Sequence, residues 1–408
     1  MKIALIYPNN DRMVNRGTGY IATLAAKAGH DVTLYDTAYC SDEDVIRQVS
    51  ASQPDLVLLS VSTMLYPRAK RMATQIKSLL PNVPILIGGI HVTITKGKVL
   101  LDCPAIDYAC VGEGEDFISE FLSKLHTSDI RGIQNLAYRD DEGRVVVNPV
   151  RPCTDLNNLP PFNYTFWHQE SIVRQGPKPG FTYVFATRGC PYRCTYCCNS
   201  CYLDLYGKSY LRTQNRDTII SELISLRDQH HAEFFYFGDE MILFDREYVG
   251  QLFRRVKEEV GLPFGCMTRV ETINEKTIDL FEKTGCCYVS MGVECGDEQF
   301  RKTKLNRHMT DEQIYRAFDL LHTIPSMFIY AFFMHGFPFS YDDRLTEKTN
   351  EMKQRLKPDL VQDSQFYPLL GTELYDYCEK NDLIDHEKMN STENYLRKSI
   401  LKEVSYES

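Results

Sequence analysis

The sequence predicts an α/β protein with two parallel-sheet domains: a doubly wound sheet of the Rossmann or flavodoxin type, then a partial (β/α)6 barrel. In the first 125 residues, short apolar runs alternate with segments of helical periodicity. This alternation is typical of a parallel sheet covered by helices on both faces. It resumes after residue 180 with six strand–helix units. Six units are fewer than the eight that close a barrel, so we expect an open one.

The first domain is predicted to span residues 1–125 with five strands. The strands are expected at Lys2–Tyr7, Asp31–Tyr35, Asp55–Ser60, Val83–Ile87 and Tyr108–Val111. The helices are expected at Gly17–Gly29, Asp42–Val49, Pro67–Leu80 and Glu115–Leu125. The third strand is apolar without alternation, which indicates burial on both faces. Ligands bind such sheets beyond the carboxyl ends of the strands.

Residues 126–180 are predicted to connect the two domains. Asn135–Tyr138 and Arg144–Asn148 flank the turn sequence Asp140–Gly143, a pattern typical of a β-hairpin. Six prolines follow between residues 149 and 179. This composition predicts a stiff, extended linker.

The partial barrel is predicted over residues 181–372, followed by a helical tail over residues 373–408. Its strands are expected at Thr182–Ala186, Glu233–Phe237, Phe264–Thr268, Tyr288–Val293, Phe328–Met334 and Val361–Phe366. Helices are expected at Thr213–Gln229, Tyr248–Val260, Asn274–Lys283 and Asp311–Thr323, with tail helices at Leu374–Lys380 and Tyr395–Leu401. The active site of such a barrel lies at the carboxyl ends of its strands.

Composition and charge argue against several classes of protein. A net charge of −9 over 408 residues does not favour a broad nucleic-acid-binding face. The sequence contains neither a signal-peptide pattern nor an apolar run long enough to cross a membrane. Fourteen cysteines without a secretion signal indicate a reducing compartment, so a cytoplasmic location is expected.

One stretch near the middle of the chain, Arg188–Cys197, carries the strongest chemical pattern. Cys190, Cys194 and Cys197 follow one another at spacings of four and three. Three such thiolates can hold three irons of a [4Fe–4S] cluster and leave the fourth iron open for chemistry. A zinc site that includes Cys198 and Cys201 is the alternative. A disulfide framework is disfavoured in a long chain without a secretion signal.

The Cys-x3-Cys-x2-Cys spacing, with Tyr196 just before the last cysteine, resembles the radical S-adenosylmethionine (SAM) superfamily. The resemblance implies that Cys190, Cys194 and Cys197 bind a [4Fe–4S] cluster whose open iron is chelated by SAM. It further implies that an electron from the cluster cleaves SAM into methionine and a 5′-deoxyadenosyl radical. Such a cluster is oxygen-sensitive, and the electron would come from a donor such as flavodoxin or ferredoxin.

Two strand ends carry acidic groups that the resemblance assigns to SAM. Gly238, Asp239 and Glu240 end the second barrel strand, where the family has its motif for the methionyl ammonium. Either acid could face the ligand. Glu294 ends the fourth strand, where it would accept the ribose hydroxyls or the ammonium.

Three further rim positions complete the implied SAM site. Arg269, after the third strand, can pair with the SAM carboxylate as a fixed fork. The Tyr196 ring is expected near the adenine. Leu370 and Gly371, after the sixth strand, are expected to wall the adenine pocket.

His335 and Tyr367 follow the fifth and sixth strands, where substrate is expected. His335 could act in general acid–base catalysis, or could be a structural histidine. Tyr367 could donate a proton or a hydrogen atom, or could pack as an ordinary aromatic residue. The sequence leaves both pairs of alternatives open.

The loops of the first domain resemble the cobalamin (B12)-binding domain that precedes the barrel in one large radical SAM subfamily. The matching residues follow four of the predicted strands in order: Gly19, Ser60, Ser62, Thr63, Gly88, Gly89, His91, Gly112, Glu113, Gly114 and Glu115. The first loop, Asn9–Gly17, lacks the histidine that ligates cobalt in other cobalamin domains. The resemblance therefore implies cobalamin without a protein histidine below the cobalt. A domain that kept the fold and lost the cofactor is the alternative.

Together these features predict a radical SAM enzyme that removes a hydrogen from an unactivated carbon of a small molecule, a natural product or a cofactor. Methyl transfer from cobalamin to the substrate radical is the expected outcome. The first alternative is a radical dehydratase, epimerase, cyclase or rearrangement enzyme. A redox sensor without turnover and a methylthiotransferase are the others. The sensor is disfavoured by the SAM-like rim, and the methylthiotransferase by the scattered Cys40, Cys103 and Cys110 and the short tail.

Overall fold

The computed structural model describes residues 1–176, 179–339, 343–391 and 399–402. The chain divides into two compact units, residues 1–175 and residues 176–408. The first unit thus includes nearly all of the segment predicted as a linker.

The first unit contains a seven-stranded sheet in the order β2-β1-β3-β4-β5-β6-β7. The strands are β1 (Lys2–Tyr7), β2 (Asp31–Asp36), β3 (Leu56–Ser60), β4 (Ile85–Gly88), β5 (Tyr108–Cys110), β6 (Leu136–Arg139) and β7 (Val145–Val147). The first five pair in parallel, as predicted. The hairpin β6–β7 adds antiparallel to β5, with Ala109 opposite Ala137. The five predicted strands are therefore confirmed, and the hairpin predicted in the connector extends their sheet and covers an edge that would otherwise expose unpaired backbone groups.

Helices lie on both faces of this sheet. They are α1 (Arg16–Lys27), α2 (Asp42–Ser52), α3 (Tyr66–Leu79), α4 (Ile90–Ile94), α5 (Val99–Asp102), α6 (Glu115–Lys124) and α7 (Gln169–Val173). Along β3, Val57 and Leu59 pack into one core and Leu56 and Leu58 into the other. Two cores explain why β3 is apolar at every position rather than at alternate ones.

The Pro-rich segment packs against the first unit and is not the extended linker that the prolines predicted. The Phe162 ring lies edge-on to Tyr20, 5.2 Å between centroids, and Trp167 lies edge-on to Tyr7 at 6.0 Å. Both Phe162 and Trp167 are buried. The aromatic residues between the prolines bury enough apolar surface to hold the segment in place. Residues 177 and 178 lie outside the described residues.

The second unit contains a six-stranded parallel sheet in the order β15-β14-β13-β12-β11-β8. The strands of this unit are β8 (Phe181–Val184), β9 (Thr187–Arg188), β10 (Arg212–Thr213), β11 (Phe234–Phe237), β12 (Phe264–Thr268), β13 (Cys286–Glu294), β14 (Phe328–His335) and β15 (Leu360–Gln365). The short strands β9 and β10 form a separate antiparallel pair. The six long strands match the six predicted for the partial barrel, and their carboxyl ends lie along one rim.

The helices of the second unit are α8 (Asn199–Tyr206), α9 (Arg216–His230), α10 (Arg246–Arg255), α11 (Glu275–Thr284), α12 (Glu298–Lys304), α13 (Asp311–Leu321), α14 (Asp343–Leu356), α15 (Glu373–Lys380) and α16 (His386–Ser391). Of the two predicted tail helices, the first is α15. The second, Tyr395–Leu401, lies largely outside the described residues. Among the described residues, no helix combines the length and the apolar character needed to cross a membrane.

The two faces of the second sheet carry different residues. Phe237 packs against Phe253 of α10, on the helix-covered face. Tyr236, one position earlier, packs with Phe181 and Tyr288 on the concave face. Alternation along each strand therefore divides the residues between a core under the helices and the interior of the partial barrel.

Asp239, just after β11, fixes the chain that leaves β8. Its Oδ1 accepts hydrogen bonds from the backbone N–H of Ala186 at 2.9 Å and from the N–H and hydroxyl of Thr187 at 2.5 and 2.6 Å. The side chain is fully buried, and burial is the main cause that raises the pKa of Asp239 to about 7. The carboxyl group ties the ends of two neighbouring strands together at the point where the three-cysteine stretch begins.

Asp239→Asn keeps the shape of the side chain and removes its titration. The folded pKa of Asp239, about 7, lies above the ordinary 3.8, so the folded chain holds the proton to higher pH than the unfolded chain. The stability of the wild type relative to the variant is therefore highest at acid pH and falls as the pH rises toward 7. The fall is up to about 1.4 kcal/mol per pH unit.

Urea unfolding of both proteins between pH 5 and pH 8, followed by far-ultraviolet circular dichroism, measures this difference. The fluorescence of Trp167, the single tryptophan, reports on the first unit and serves as the internal control. A stability difference that stays constant with pH would contradict the assignment.

Candidate active site at the carboxyl ends of the second sheet

The three-cysteine loop lies between β9 and α8. It begins at Gly189, whose φ is +103°. A Cβ at this position would lie 2.5 Å from the carbonyl oxygen of Tyr210, so glycine is required both by the backbone and by the neighbouring chain. The Gly189 N–H donates to Oε2 of Glu240 at 3.3 Å. The loop therefore starts in contact with the end of β11.

The middle of the loop is held by segments far away in sequence. Thr195 donates its N–H to the carbonyl of Leu305 and its hydroxyl to the carbonyl of Lys304, at 3.2 and 2.7 Å. The carbonyl of Thr195 accepts from the N–H of Leu374 at 2.9 Å. Asn306 donates its side-chain amide to the carbonyl of Arg193. These bonds fix the backbone on both sides of Cys194.

The thiols of the loop lie in different environments. Cys190 and Cys194 are buried, and burial raises the pKa of Cys190 to about 11. Cys197 is half-buried, and a hydrogen bond from the Cys198 thiol lowers the pKa of Cys197 to about 7. The Cys201 thiol donates to the carbonyl of Gly371. Cys198 and Cys201 thus have contacts of their own beside the loop.

Arg269 lies directly against this loop. Its Nη1 donates to Sγ of Cys194 at 3.3 Å, and its Nη2 and Nε donate to the two oxygens of Glu271 at 2.6 and 3.3 Å. The guanidinium carbon lies 3.6 Å from the centroid of the Tyr192 ring. The Arg269 side chain is only 7% exposed. A buried, fully oriented cation therefore contacts one of the cysteines.

A second buried arginine holds Tyr196 and Glu294 together. The Tyr196 hydroxyl donates to Oε1 of Glu294 at 2.9 Å, and burial raises its pKa well above the ordinary value, so it remains a donor. Arg307 Nη1 lies 3.1 Å from the Tyr196 oxygen and 3.2 Å from the same Glu294 oxygen. Glu294 has a φ of +73°, a backbone conformation that is unusual for a residue other than glycine. Such backbone strain is typical of functional positions.

The structure brings together most of the residues predicted to bind SAM. Glu240 is exposed beside the loop, whereas Asp239 is buried beneath it with its Oδ1 engaged. Arg269 already pairs with Glu271, and Tyr196 and Glu294 bind each other. Their contacts with SAM stay predictions.

The remaining predicted residues lie at the other rim positions. A Cβ at Gly238 would lie 2.7 Å from the Tyr183 ring. Leu370 is half-buried and Gly371 is exposed. His335 is exposed, and Tyr367 is 7% exposed with a pKa that burial raises to about 12. The roles proposed for His335 and Tyr367 stay predictions.

Sequence reasoning missed Arg307, Glu271 and Tyr192. Arg307 follows α12, not a strand, so a search confined to strand ends does not find it. Glu271 and Tyr192 were close in sequence to predicted residues. Glu271 lies only two positions after Arg269, and this spacing of an acid and a rim arginine was the signal that could have identified it.

The residues predicted to bind cobalamin lie in the first unit, and one group of them forms a tight cluster. His91 is buried, stacks on Tyr66 at 4.1 Å and lies 3.3 Å from the Thr63 hydroxyl through Nδ1. Burial lowers the pKa of His91 to about 4, so the ring is neutral at ordinary pH. Gly89 has a φ of +103°, and a Cβ there would lie 2.4 Å from the carbonyl oxygen of Val61.

Other predicted cobalamin contacts are occupied by the protein itself. A Cβ at Gly19 would lie 2.2 Å from the Phe162 ring, so that ring fills the space in front of Gly19. Glu113 accepts from the N–H of Thr154, and Glu115 is buried. The other positions at the strand ends have these features: Gly112 has a φ of +96°, a Cβ at Gly114 would meet Ile21, and Gly88, Ser60 and Ser62 are half-buried. All of these cobalamin roles stay predictions.

The residues present fit the groups that the sequence predicted. Three thiols in one fixed loop, beside two buried guanidiniums, match an anionic iron–sulfur cluster. Among the described residues, no three histidine, cysteine or acidic side chains converge on a point where one metal ion could bind. The cysteines of a [4Fe–4S] cluster bind three different irons and need no such point. In the first unit, a Cβ at Gly89 would meet the backbone of Val61, so only glycine lets the ends of β3 and β4 approach this closely.

Comparison with known proteins identifies both units. Residues 10–122 match the family model of the B12 binding domain, and residues 184–347 match that of the Radical SAM superfamily. An uncharacterized methyltransferase of Pyrococcus horikoshii is 26% identical over 94% of this chain and 84% of its own length. The anaerobic magnesium-protoporphyrin IX monomethyl ester cyclase of Rubrivivax gelatinosus is 27% identical over 96% of this chain and 72% of its own.

Solved structures share the fold. The radical SAM methyltransferase TsrM from Kitasatospora setae, solved with cobalamin and a [4Fe–4S] cluster, superposes with a TM-score of 0.73 at 16% identity. The alignment covers 93% of this chain and 75% of TsrM. The cobalamin-dependent radical enzyme OxsB gives 0.74 at 16% identity, over 98% of this chain and 64% of OxsB.

The cofactors of this family are a [4Fe–4S] cluster, SAM and cobalamin, as the sequence predicted. The two matched segments follow the order of the two units along the chain. The chain belongs to the radical SAM superfamily, in the subfamily that carries an N-terminal cobalamin-binding domain.

Proposed function

We propose that this chain uses a [4Fe–4S] cluster, SAM and cobalamin to transfer a methyl group to an unactivated carbon of a small-molecule substrate. The observation that carries the proposal is the fixed loop with Cys190, Cys194 and Cys197, held by Asp239 and Thr195 at the rim. When bound, these cofactors supply an electron, a radical that removes hydrogen, and the methyl group.

In this proposal the protein groups at the rim bind and orient SAM, and they exclude water from it. Arg307 and Glu294 are both buried and are 3.2 Å apart, so their charges are fixed at a place where the low dielectric strengthens them. Glu240 is exposed and offers a carboxylate for the methionyl ammonium. The Tyr196 ring stays in one orientation because its hydroxyl binds Glu294.

The interior of the partial barrel supports a substrate that is largely apolar. Tyr330 packs against Phe332 at 4.7 Å, and its hydroxyl donates to Gln362 at 2.7 Å. Gln362 donates in turn to Ser364. None of these half-buried residues is charged. An aromatic wall with a few amide and hydroxyl groups suits a large, mostly apolar ring system.

The relatives named as methyltransferases support methyl transfer, and the Rubrivivax cyclase supports the alternative, a radical reaction without methyl transfer. The electron would come from a flavodoxin or ferredoxin, and neither a nucleic acid nor a membrane is a proposed partner. The fourteen cysteines all lie in the described part of the chain and none of them forms a disulfide bond, which supports a cytoplasmic location.

The cluster can be tested with matched cysteine variants. After anaerobic reconstitution, the wild type is expected to hold about four irons per chain and, once reduced, to convert SAM to 5′-deoxyadenosine. Cys190→Ala removes one iron ligand and should lose this conversion. Cys40→Ala makes the same change in an exposed thiol of the first unit and should retain it. Conversion by Cys190→Ala at the wild-type rate would overturn the cluster assignment.

The cobalamin site can be tested with two glycine variants of the first unit. Gly89→Ala adds a Cβ against Val61 at a positive φ and should weaken hydroxocobalamin binding by about tenfold, equivalent to 1.4 kcal/mol. Gly132→Ala meets nothing within 4 Å and should bind as the wild type does. Binding is followed in the visible spectrum, and Trp167 fluorescence checks the folding of both variants. Equal affinities would count against the site.

Methyl transfer can be tested with SAM that carries a deuterated methyl group. The probes are magnesium-protoporphyrin IX monomethyl ester, a bacteriochlorophyllide and cytidylyl-2-hydroxyethylphosphonate, which represent the compounds in the relatives' names. We expect a mass gain of one labelled methyl group on a ring compound and none on the charged phosphonate. A product formed without label would favour the alternative reaction.

A further inference from the structure

Arg269 has contacts that its predicted role as a SAM ligand does not explain. The guanidinium donates to Cys194 Sγ at 3.3 Å, and two of its other N–H groups already bind the Glu271 carboxylate. The Tyr192 ring covers its flat face at 3.6 Å. The side chain is thus fixed by three neighbours, and its free edge points at a cysteine sulfur.

Stability alone gives little reason for this arrangement. Arg269 and Glu271 are 7% and 21% exposed, and burying an ion pair costs desolvation energy that the attraction often only balances. Glu271 instead supplies orientation, since its two oxygens receive Nε and Nη2 and leave Nη1 facing Cys194. A guanidinium cannot lose its proton at ordinary pH, so its charge is permanent.

We propose that Arg269 is a positioning and electrostatic residue that raises the reduction potential of the cluster through its hydrogen bond to Cys194. This inference rests on the proposed function, since it requires the cluster. One electron from an external reductant lowers the charge of a [4Fe–4S] cluster from 2+ to 1+. A cation and an N–H donor at a ligating sulfur stabilise the more negative state, because hydrogen bonds to the sulfurs and local charge set such potentials.

Glu271 has the opposite effect on the same site. Its carboxylate lies on the far side of the guanidinium and offsets part of that positive charge. Removing the arginine therefore takes away a cation and a hydrogen bond and leaves an uncompensated anion. Removing the acid leaves an uncompensated cation next to Cys194. The two substitutions must shift the potential in opposite directions.

The test measures the midpoint potential of the reconstituted cluster by electron paramagnetic resonance during anaerobic titration with dithionite or titanium(III) citrate. Arg269→Gln should shift the potential to more negative values, and Glu271→Gln to more positive values. Arg316→Gln is the matched control, because Arg316 pairs with Glu275 on the exposed surface and water and salt screen its charge. Its potential should equal that of the wild type.

The outcomes separate this inference from the proposed function. If the wild type takes up no cluster, the proposed function and the role of Arg269 are both wrong. If the wild type holds a cluster but Arg269→Gln and Glu271→Gln leave its potential unchanged, or shift it in the same direction, only the role inferred for Arg269 is wrong. If Arg269→Gln does not fold, Glu271→Gln still decides. An unchanged potential in Arg269→Gln, with loss of the spectral change that SAM induces, would restore Arg269 as the partner of the SAM carboxylate.

Discussion

The second unit depends on one buried carboxyl group. Asp239 sits at the end of β11, and its Oδ1 collects three hydrogen bonds from Ala186 and Thr187, where the chain leaves β8. Parallel strands are joined only by long crossovers, so nothing in the covalent chain holds two such strand ends together. The carboxyl group supplies that link at the point where the cysteine loop starts. Burial works against its charge, and the hydrogen bonds offset much of that cost.

From this anchor, the loop is held by side chains from segments that are distant in sequence. Thr195 binds the carbonyls of Lys304 and Leu305, and Arg307 follows two residues after Leu305. The segment Lys304–Arg307, which holds the loop, thus also carries the cation that binds Tyr196 and Glu294. A shift of this segment would move the thiols and this charged group together. The positions of the sulfurs and of the surrounding charges are therefore set by the same few bonds.

The sequence predicted most of the fold because the periodicity of apolar residues and the spacing of motifs are local properties of the chain. Leu56 to Leu59 indicated a strand buried on both faces, and both cores are present. Strand-end positions located Glu294 and Arg269. The partners of those two residues were not predictable by the same reasoning. Arg307 reaches Glu294 from after a helix, and the side on which Glu271 binds Arg269 depends on side-chain packing. Likewise, the prolines near residue 162 predicted an extended linker, and nothing in the sequence indicated that the Phe162 ring packs against Gly19.

The proposed reaction accounts for the distribution of charge within the second unit. Arg307 and Glu294 lie buried at the rim, where the proposed SAM site needs fixed partners for a zwitterionic methionyl group. Deeper in the barrel, Tyr330 and Phe332 offer rings with few polar groups. A radical that removes hydrogen from carbon develops little charge, so the substrate needs close packing and a dry wall more than it needs ions. Under the proposed function, charge at the rim and aromatic packing below it would therefore serve two different ligands in one barrel.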